Sequence, residues 1–308
     1  MLQTRNLILG IAAVVILGGG ALVAVGMSQG GGGDGPGVRP LAGVFGDSAK
    51  PAPSPTPTGP SPEELRKQQH AKQVKALNAA LKKYSGTVPE FSVAVLDKKT
   101  GETYSFRGAE KYETASVVKV QVLACLLLTA QDDDRKVSST DLGLAQRMIR
   151  ASDNDATTAL FSRLGRAPAI TRCNKRLGLK ETKVSDSWGL TRTTVRDQVK
   201  LLNELVDTKG PLNAGSRELA RELMSTVNDD QDWGVPAAAE SGENFTVKNG
   251  WLARSTENGR WIINSVGRIT GGDADVSIAV LSHNHASMSG GIGVVERAAK
   301  LTRQHLKY

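Results

Sequence analysis

Ser116 and Lys119 stand three residues apart at the mouth of an apolar stretch, YETASVVKVQVLACLLLTA, residues 112–130. At that spacing on a helix the two side chains leave neighbouring positions of one face. Lysine is almost never fully buried without a partner or a task, because taking its charge out of water costs more than its stem gains by packing. In apolar surroundings its amine is destabilised as a cation, so it can accept the proton of a nearby hydroxyl and turn that hydroxyl into a nucleophile. A serine at the first helical turn also sits where unpaired backbone N–H groups point, which favours developing negative charge. The spacing alone is not diagnostic: it arises by chance roughly once in a chain of this size, and a lysine at a helix end can reach water along its stem.

Two further polar clusters follow in order. Ser152-Asp153-Asn154 lies at the junction of two helical patterns, where the same residue types also serve as helix caps. Lys248-Asn249-Gly250 lies on the strand-like run FTVKNGW; the lysine projects to one side, and the glycine lets a substrate or a helix come close to the backbone. A literal Lys99-Thr100-Gly101 precedes Ser116 and occupies a hairpin connection, where glycine is simply the turn residue. The looser Ser282-His283-Asn284 shows how readily partial matches occur.

The elements that must position these clusters are readable from periodicity. SPEELRKQQHAKQVKALNAALKKYSG opens with Ser61 as a cap and Pro62 at the first helical position, and reads as a helix ending at Gly86. FSVAVLD and ETYSFRG are strands joined by KKTG. The Ser116 stretch is about four turns of helix, apolar all round as a helix buried inside a domain would be. Residues 138–245 carry mainly helical patterns, after which FTVKNG, RWIINSVGRI and ADVSIAVLS read as strands and IGVVERAAKLTRQHLK as a closing helix. The expected fold class is α+β: an antiparallel sheet flanked by N- and C-terminal helices, with an all-helical lobe inserted between its second and third strands and a cleft where lobe and sheet meet.

In this order and setting, Ser116-Val-Val-Lys119, Ser152-Asp-Asn154 and Lys248-Asn-Gly250 resemble the three signature elements of penicillin-recognising serine hydrolases, most closely the class A β-lactamases. The likeness runs from about residue 63 to the C-terminus and includes VAVLDKKTGETYSF, LTRTTVRD and GRWIINSVG. It implies Ser116 as nucleophile, Lys119 as its base or proton relay, Ser152 as the donor to the leaving nitrogen, Asn154 as a partner of the substrate amide and Lys119, and Lys248 as fixed positive charge. It also implies substrate contacts from Asn249, Gly250 and Trp251, an oxyanion hole from the backbone N–H groups of Ser116 and Trp251, and Arg260 as the arginine that holds a substrate carboxylate.

The departures bear on the reaction. Residues 184–191 read VSDSWGLT, where class A enzymes carry a longer loop with the glutamate that activates water to release the acyl group. Asp186 and Glu181 are the nearest carboxylates, with Asp186 the candidate replacement. Without a positioned base, acylation of Ser116 could proceed and then stall. Asn249 replaces the usual hydroxyl residue, Trp251 adds a bulky ring, and the short interval from Ser116 to Ser152 implies a reduced helical lobe.

The rest of the chain bounds its setting. It has 308 residues, 39% hydrophobic and 23% charged. Residues 1–26 contain the uncharged apolar run LILGIAAVVILGGGALVAV behind Arg5, which reads as a membrane anchor with the remainder exported, or as a cleaved signal. Residues 27–62 are glycine-rich and then proline-rich, a tether that cannot bury a core. Residues 63–308 form the expected hydrolase domain, with its sheet part at 63–114 and 245–308 and its helical lobe at 115–244. No cysteine closely follows the apolar run, which argues against a lipidated-cysteine anchor. Of the two cysteines, Cys125 lies deep in the apolar helix, where a buried thiol is the commoner state; export would allow a bridge to Cys173, and the pairing stays open.

His283 and His285 are spaced for alternate faces of a strand rather than for chelation, and no metal or organic cofactor is implied. The net charge of +8 is spread without a basic block interleaved with aromatics, which speaks against nucleic-acid binding. The expected function is an exported serine hydrolase or acyl-transferase acting on β-lactams or D-alanyl-peptide-like amides of the cell wall through an acyl-Ser116 intermediate. The alternative is a penicillin- or wall-binding sensor module of the same fold that does not turn over. Oligomeric state is not readable.

Overall fold

The computed structural model describes residues 59–308. The expected anchor or signal segment and the tether up to residue 58 lie outside them. Helix α1 (Pro62–Ser85) starts where the cap signal places it. Ser61 Oγ accepts from Glu64 N at 3.2 Å, and the Glu64 carboxylate accepts from Ser61 N at 2.7 Å, so two otherwise unpaired donors of the first turn are satisfied reciprocally.

Strands β1 (Phe91–Asp97) and β2 (Thr103–Phe106) form the first hairpin. Lys99, Thr100 and Gly101 are its turn: the Asp97 carboxylate accepts from the backbone N–H groups of Lys99 and Thr100, and Gly101 takes φ +74°. That triplet is therefore structural. After the lobe come β5 (Asn244–Arg254), β6 (Arg260–Gly271) and β7 (Ala274–His285), then helix α8 (Met288–Leu306). The sheet order is β2-β1-β7-β6-β5 with every neighbouring pair antiparallel, so the lobe is inserted between the second and third strands of this sheet. The α+β class with terminal helices on one face is as expected.

Alternation along the strands divides the side chains between two cores. Val276, Ile278 and Val280 of β7 pack with α1 and α8, whereas Ala279 and Leu281 face the lobe. The lobe consists of α2 (Val118–Asp132), α3 (Ser139–Arg150), α4 (Asn154–Arg163), α5 (Arg166–Arg176), α6 (Val195–Glu204) and α7 (Ala214–Met224). Helix α2 is at its centre and is buried on nearly every side, which explains a sequence apolar all round.

One detail of the lobe differs from the expectation, and one pairing left open by the sequence is resolved. The lobe is not wholly helical: β4 (Arg192–Thr193) pairs with β3 (Tyr112–Glu113), and this small sheet anchors the chain just before Ser116. Cys125 is not a free thiol: α2 and α5 pack so that its Cα lies 5.8 Å from that of Cys173, and the two form a disulfide.

Candidate active site

Ser116 is presented by a turn pinned from three directions. Thr114 N donates to Thr191 O at 2.8 Å, and Asn264 Nδ2 on β6 donates to Glu113 O at 2.9 Å and Thr114 O at 3.0 Å. Ala115 then takes φ +46°, a conformation that non-glycine residues adopt at a cost and that surrounding structure must enforce. A short 3-10 turn, Ala115–Val117, leads directly into α2. Gly250 of β5 closes the third side: a Cβ there would lie 2.8 Å from Ser116 N, Thr114 O and Val117 N. The glycine of the Lys248-Asn249-Gly250 cluster thus lets strand and turn touch backbone to backbone. Ser116 is left 8% exposed at the edge of a cavity of about 490 Å³.

Lys119, in the first turn of α2, is fully buried. Its Nζ donates to Ser152 O at 2.5 Å, Ser152 Oγ at 3.0 Å and Asn154 Oδ1 at 2.9 Å. The acceptors converge because Ser152 sits at the α3–α4 corner with φ +55°, while Asp153 Oδ1 caps α4 by accepting from Ala156 N at 2.8 Å and so fixes Asn154 behind it. Burial pushes the amine's pKa down to about 8, partly offset by the charge of Asp153. No hydrogen bond joins Lys119 Nζ to Ser116 Oγ among the described residues. The direct contact expected from their spacing is replaced by contacts to Ser152 and Asn154, since a carbonyl, a hydroxyl and an amide oxygen together satisfy all three ammonium protons.

Lys248 is also fully buried, and its Nζ donates to Asn249 O at 3.0 Å and Gln231 Oε1 at 3.3 Å. Burial holds its pKa well below the ordinary lysine value, the charge of Lys119 lowers it further, and Asp230 opposes both. Asn249 faces away from the cavity: its Nδ2 donates to Gln231 O at 2.8 Å and Trp233 O at 2.9 Å, so both amide protons hold the 231–233 segment and none is free for a substrate. Trp251 does line the cavity.

Arg260 is not brought to the site. It lies exposed at the start of β6, paired in register with Arg254, and its Nη1 reaches Asn284 O at 3.5 Å. Arg254 is the arginine that lines the cavity, its Nε 3.1 Å from Glu113 Oε2. Asp186 is exposed and lies 3.6 Å from Arg166 Nε. Glu181 is bound by Arg196 and Thr194, and the Arg196 hydrogen bond holds its carboxyl below the usual range. Among the described residues lining the cavity there is no carboxylate; the 187–190 segment contributes Trp188 instead, its ring centroid 5.2 Å from Lys119 Nζ.

His285 is buried at the end of β7 with Nε2 2.9 Å from Ser282 Oγ, and burial holds its pKa down at about 4. It is a core histidine. Asn264, Gln231, Trp188 and Arg254 carry no motif in the sequence; only the rarity of an asparagine inside a continuous apolar strand hinted at the first.

The model of the Beta-lactamase enzyme family matches residues 71–142 and 136–306. Proteins of Mycobacterium tuberculosis and Mycobacterium bovis called "Putative lipoprotein LppW" are 30% identical over 169 residues, covering 52% of this chain and 54% of theirs, so the chain spans about half the length of these curated relatives. Among solved structures, an ancestral class A β-lactamase is similar with a TM-score of 0.65 at 20% identity, covering 74% of this chain and 99% of its own. A class A β-lactamase from Mycobacterium abscessus is similar with a TM-score of 0.65 at 18% identity, covering 75% and 100%. At such identities these structures speak for the fold.

Proposed function

The chain belongs to the Beta-lactamase enzyme family, and from that premise we propose that it is an exported serine acyl-transferase or hydrolase that opens β-lactams or D-alanyl-peptide-like amides by forming an ester on Ser116. The observation that carries this reading is the Lys119 amine, buried among Ser152 and Asn154 with a pKa near 8 and one helical turn from Ser116.

At neutral pH about a tenth of such an amine is unprotonated. In that form it keeps two N–H donors for the Ser152 carbonyl and Asn154 Oδ1, and its lone pair can accept from a hydroxyl. As substrate docks, Nζ takes the proton of Ser116 Oγ while that oxygen bonds the carbonyl carbon. The oxyanion is held by the N–H groups of Ser116 and Trp251. When the C–N bond breaks, Ser152 Oγ gives its proton to the leaving nitrogen and recovers one from Lys119. Lys248, whose charge burial and Lys119 disfavour, supplies positive charge beside the site when an anionic substrate offsets them. The carboxylate-holding role that the family likeness implied for Arg260 is better served by Arg254, which lines the cavity.

Among the described residues no carboxylate lines the cavity to activate water for release of the acyl group, and Trp188 stands over the amine, which supports slow hydrolysis. This favours the second reading, a sensor or wall-binding module acylated once, as the limit of the first. An exported, membrane-associated setting is supported by the apolar run at 7–25, by the disulfide, which persists in oxidising compartments, and by the lipoprotein name of the relatives. With Cys125 and Cys173 joined in that disulfide, our reading keeps the apolar run, rather than a lipidated cysteine, as the membrane anchor, or as the export signal if it is cleaved. Intact-mass spectrometry after exposure to a penicillin tests the proposal: a mass gain of one penicillin, absent in Ser116→Ala, with a lifetime of minutes or longer. No gain at all in the wild type overturns it.

A further inference from the structure

The net charge is spread along the sequence but not over the fold. In residues 59–308 Lys and Arg number 36 and Asp and Glu 29, a net of +7. Helix α1, residues 62–85, holds six of the bases and two of the acids, and residues 288–308, α8 with the last two residues, hold four and one; residues 86–287 hold 26 of each and are neutral overall. The excess therefore belongs to the two terminal helices. These pack side by side on one face of the sheet, where Leu77 and Leu81 of α1 share a core with Val294, Val295 and Ala298 of α8.

On α1 the bases point outward. Steps of about 100° per residue set Lys72, Lys75, Lys82 and Lys83 on an arc opposite Leu77 and Leu81, and all four are exposed. The acids of the helix are both in its first turn, Glu63 paired with Lys67 at 2.7 Å and Glu64 closing the cap on Ser61. None of the four lysines forms an ion pair among the described residues, and neither do the exposed Arg297 and Lys300 of α8; Arg303 is held by Glu240 and Glu243, and Glu296 accepts from Gly234 N at 3.4 Å. Leu65, on the same side of α1 as Lys72 and Lys83, is 51% exposed, the one large hydrophobic residue so exposed among the described residues. The chain outside them arrives at this helix: residues 26–58, a tether by composition, join α1 to the apolar run at 7–25.

We propose that the α1–α8 face is a docking surface for a membrane bearing anionic lipid headgroups. Each unpaired basic side chain near such a surface adds about fivefold to the affinity. With the apolar run as anchor, the tether holds the face near the lipid at an effective concentration on the order of millimolar, so a weak intrinsic affinity suffices. The apolar stripe of α1 is spent on the sheet, so the contact is peripheral and governed by charge, with Leu65 as its one apolar point. No residue of α1 or α8 lines the Ser116 cavity, and docking by this face leaves that cavity uncovered. The surface is independent of the reading of Ser116.

Residues 59–308 hold both cores and the α1 cap complete, so this fragment is assayed free of the apolar run. Its sedimentation with phosphatidylcholine vesicles is compared with and without phosphatidylglycerol. The anionic vesicles bind it at least about tenfold more strongly at low salt, and the difference fades as salt is raised. Lys72→Gln, Lys75→Gln, Lys82→Gln and Lys83→Gln combined remove most of that preference with an unchanged unfolding temperature. Lys175→Gln, Lys180→Gln, Lys183→Gln and Lys209→Gln combined, at exposed lysines of the lobe, alter the net charge equally and leave the preference in place. Equal binding to the two vesicles, or equal loss in the two sets of variants, overturns the proposal. Binding to soluble polyphosphate with none to either vesicle overturns it in favour of an anionic wall polymer. In the full chain reconstituted into the same vesicles, acetic anhydride modifies the four α1 lysines more slowly where the lipid is anionic, and equal rates there also overturn the proposal.

Discussion

Two buried lysines face the same turn from different sides of the molecule, Lys119 on the central helix of the lobe and Lys248 on the edge strand of the sheet. Both are fully buried and each lies near an indole, with Nζ 5.2 Å from the Trp188 centroid and 5.9 Å from that of Trp251. Their acceptors differ. Lys119 has three, which satisfies an ammonium completely, and one of them, Ser152 Oγ, is a hydroxyl that can turn round and donate when the amine loses its proton. Lys248 has two among the described residues, both carbonyl-type oxygens that only accept. Both protonation states of Lys119 are thus provided for, as suits a group that exchanges protons. Burial disfavours the cationic form of Lys248 and none of its acceptors can donate to a neutral amine, so an anion bound nearby would favour its charge.

The largest effect that could break this contrast is on acylation rate. Lys119→Met lowers the rate of mass gain with a penicillin by about 10³-fold, within the range for loss of a positioned proton acceptor. Lys248→Met acts mainly on the concentration dependence, raising the concentration for half-maximal rate by about tenfold with a smaller change in the maximal rate. Equal damage to the maximal rate in both variants would erase the distinction.

The pH dependence sharpens the same point. Acylation needs the neutral amine, and burial sets the Lys119 pKa near 8, so the rate climbs about tenfold per pH unit below 8 and levels off above it. The ascending limb persists in Lys248→Met, because burial is the main influence on Lys119, with its midpoint moved upward by loss of the neighbouring positive charge, and it disappears in Lys119→Met. A limb that vanished with Lys248 instead would reverse the two assignments.

Much of this site is legible as sequence because its parts are local. Ser116 and Lys119 share one helix start, Ser152 to Asn154 one corner, and Lys248 to Gly250 one strand, so spacing and element type place them. The α+β order is legible because period-2 and period-3.6 patterns occupy separate blocks of the chain. The rest depends on distant contacts. Asn264 is 150 residues from the Thr114 carbonyl it holds, Gln231 meets Lys248 only through the fold, and the rotation that aims Lys119 at Ser152 follows from φ +55° at a residue that is not glycine. The Arg260 expectation fails for a related reason. Proximity to WIINSVG in sequence fixes a strand but not how far the hairpin extends past Trp251, and the register puts Arg254, on the preceding strand, beside the cavity.

The smallest expected effect concerns Asp186, and it tests whether proton movement belongs to Lys119 alone. If a carboxylate of the 184–191 segment activated water, the contrast between the two lysines would be incomplete, since release of the acyl group would have its own base. Asp186 is two residues from Trp188, but its side chain is largely exposed and faces Arg166 at 3.6 Å, a surface pair of the kind that contributes little. The loop is short, and what it brings to the cavity beside Lys119 is the Trp188 ring rather than a carboxylate. Asp186→Asn therefore changes the decay rate of the Ser116 adduct by less than about twofold, measured from the loss of the mass gain after excess penicillin is removed. A decay slowed tenfold or more in that variant would put the second base in the loop and require the segment to close over the cavity during release.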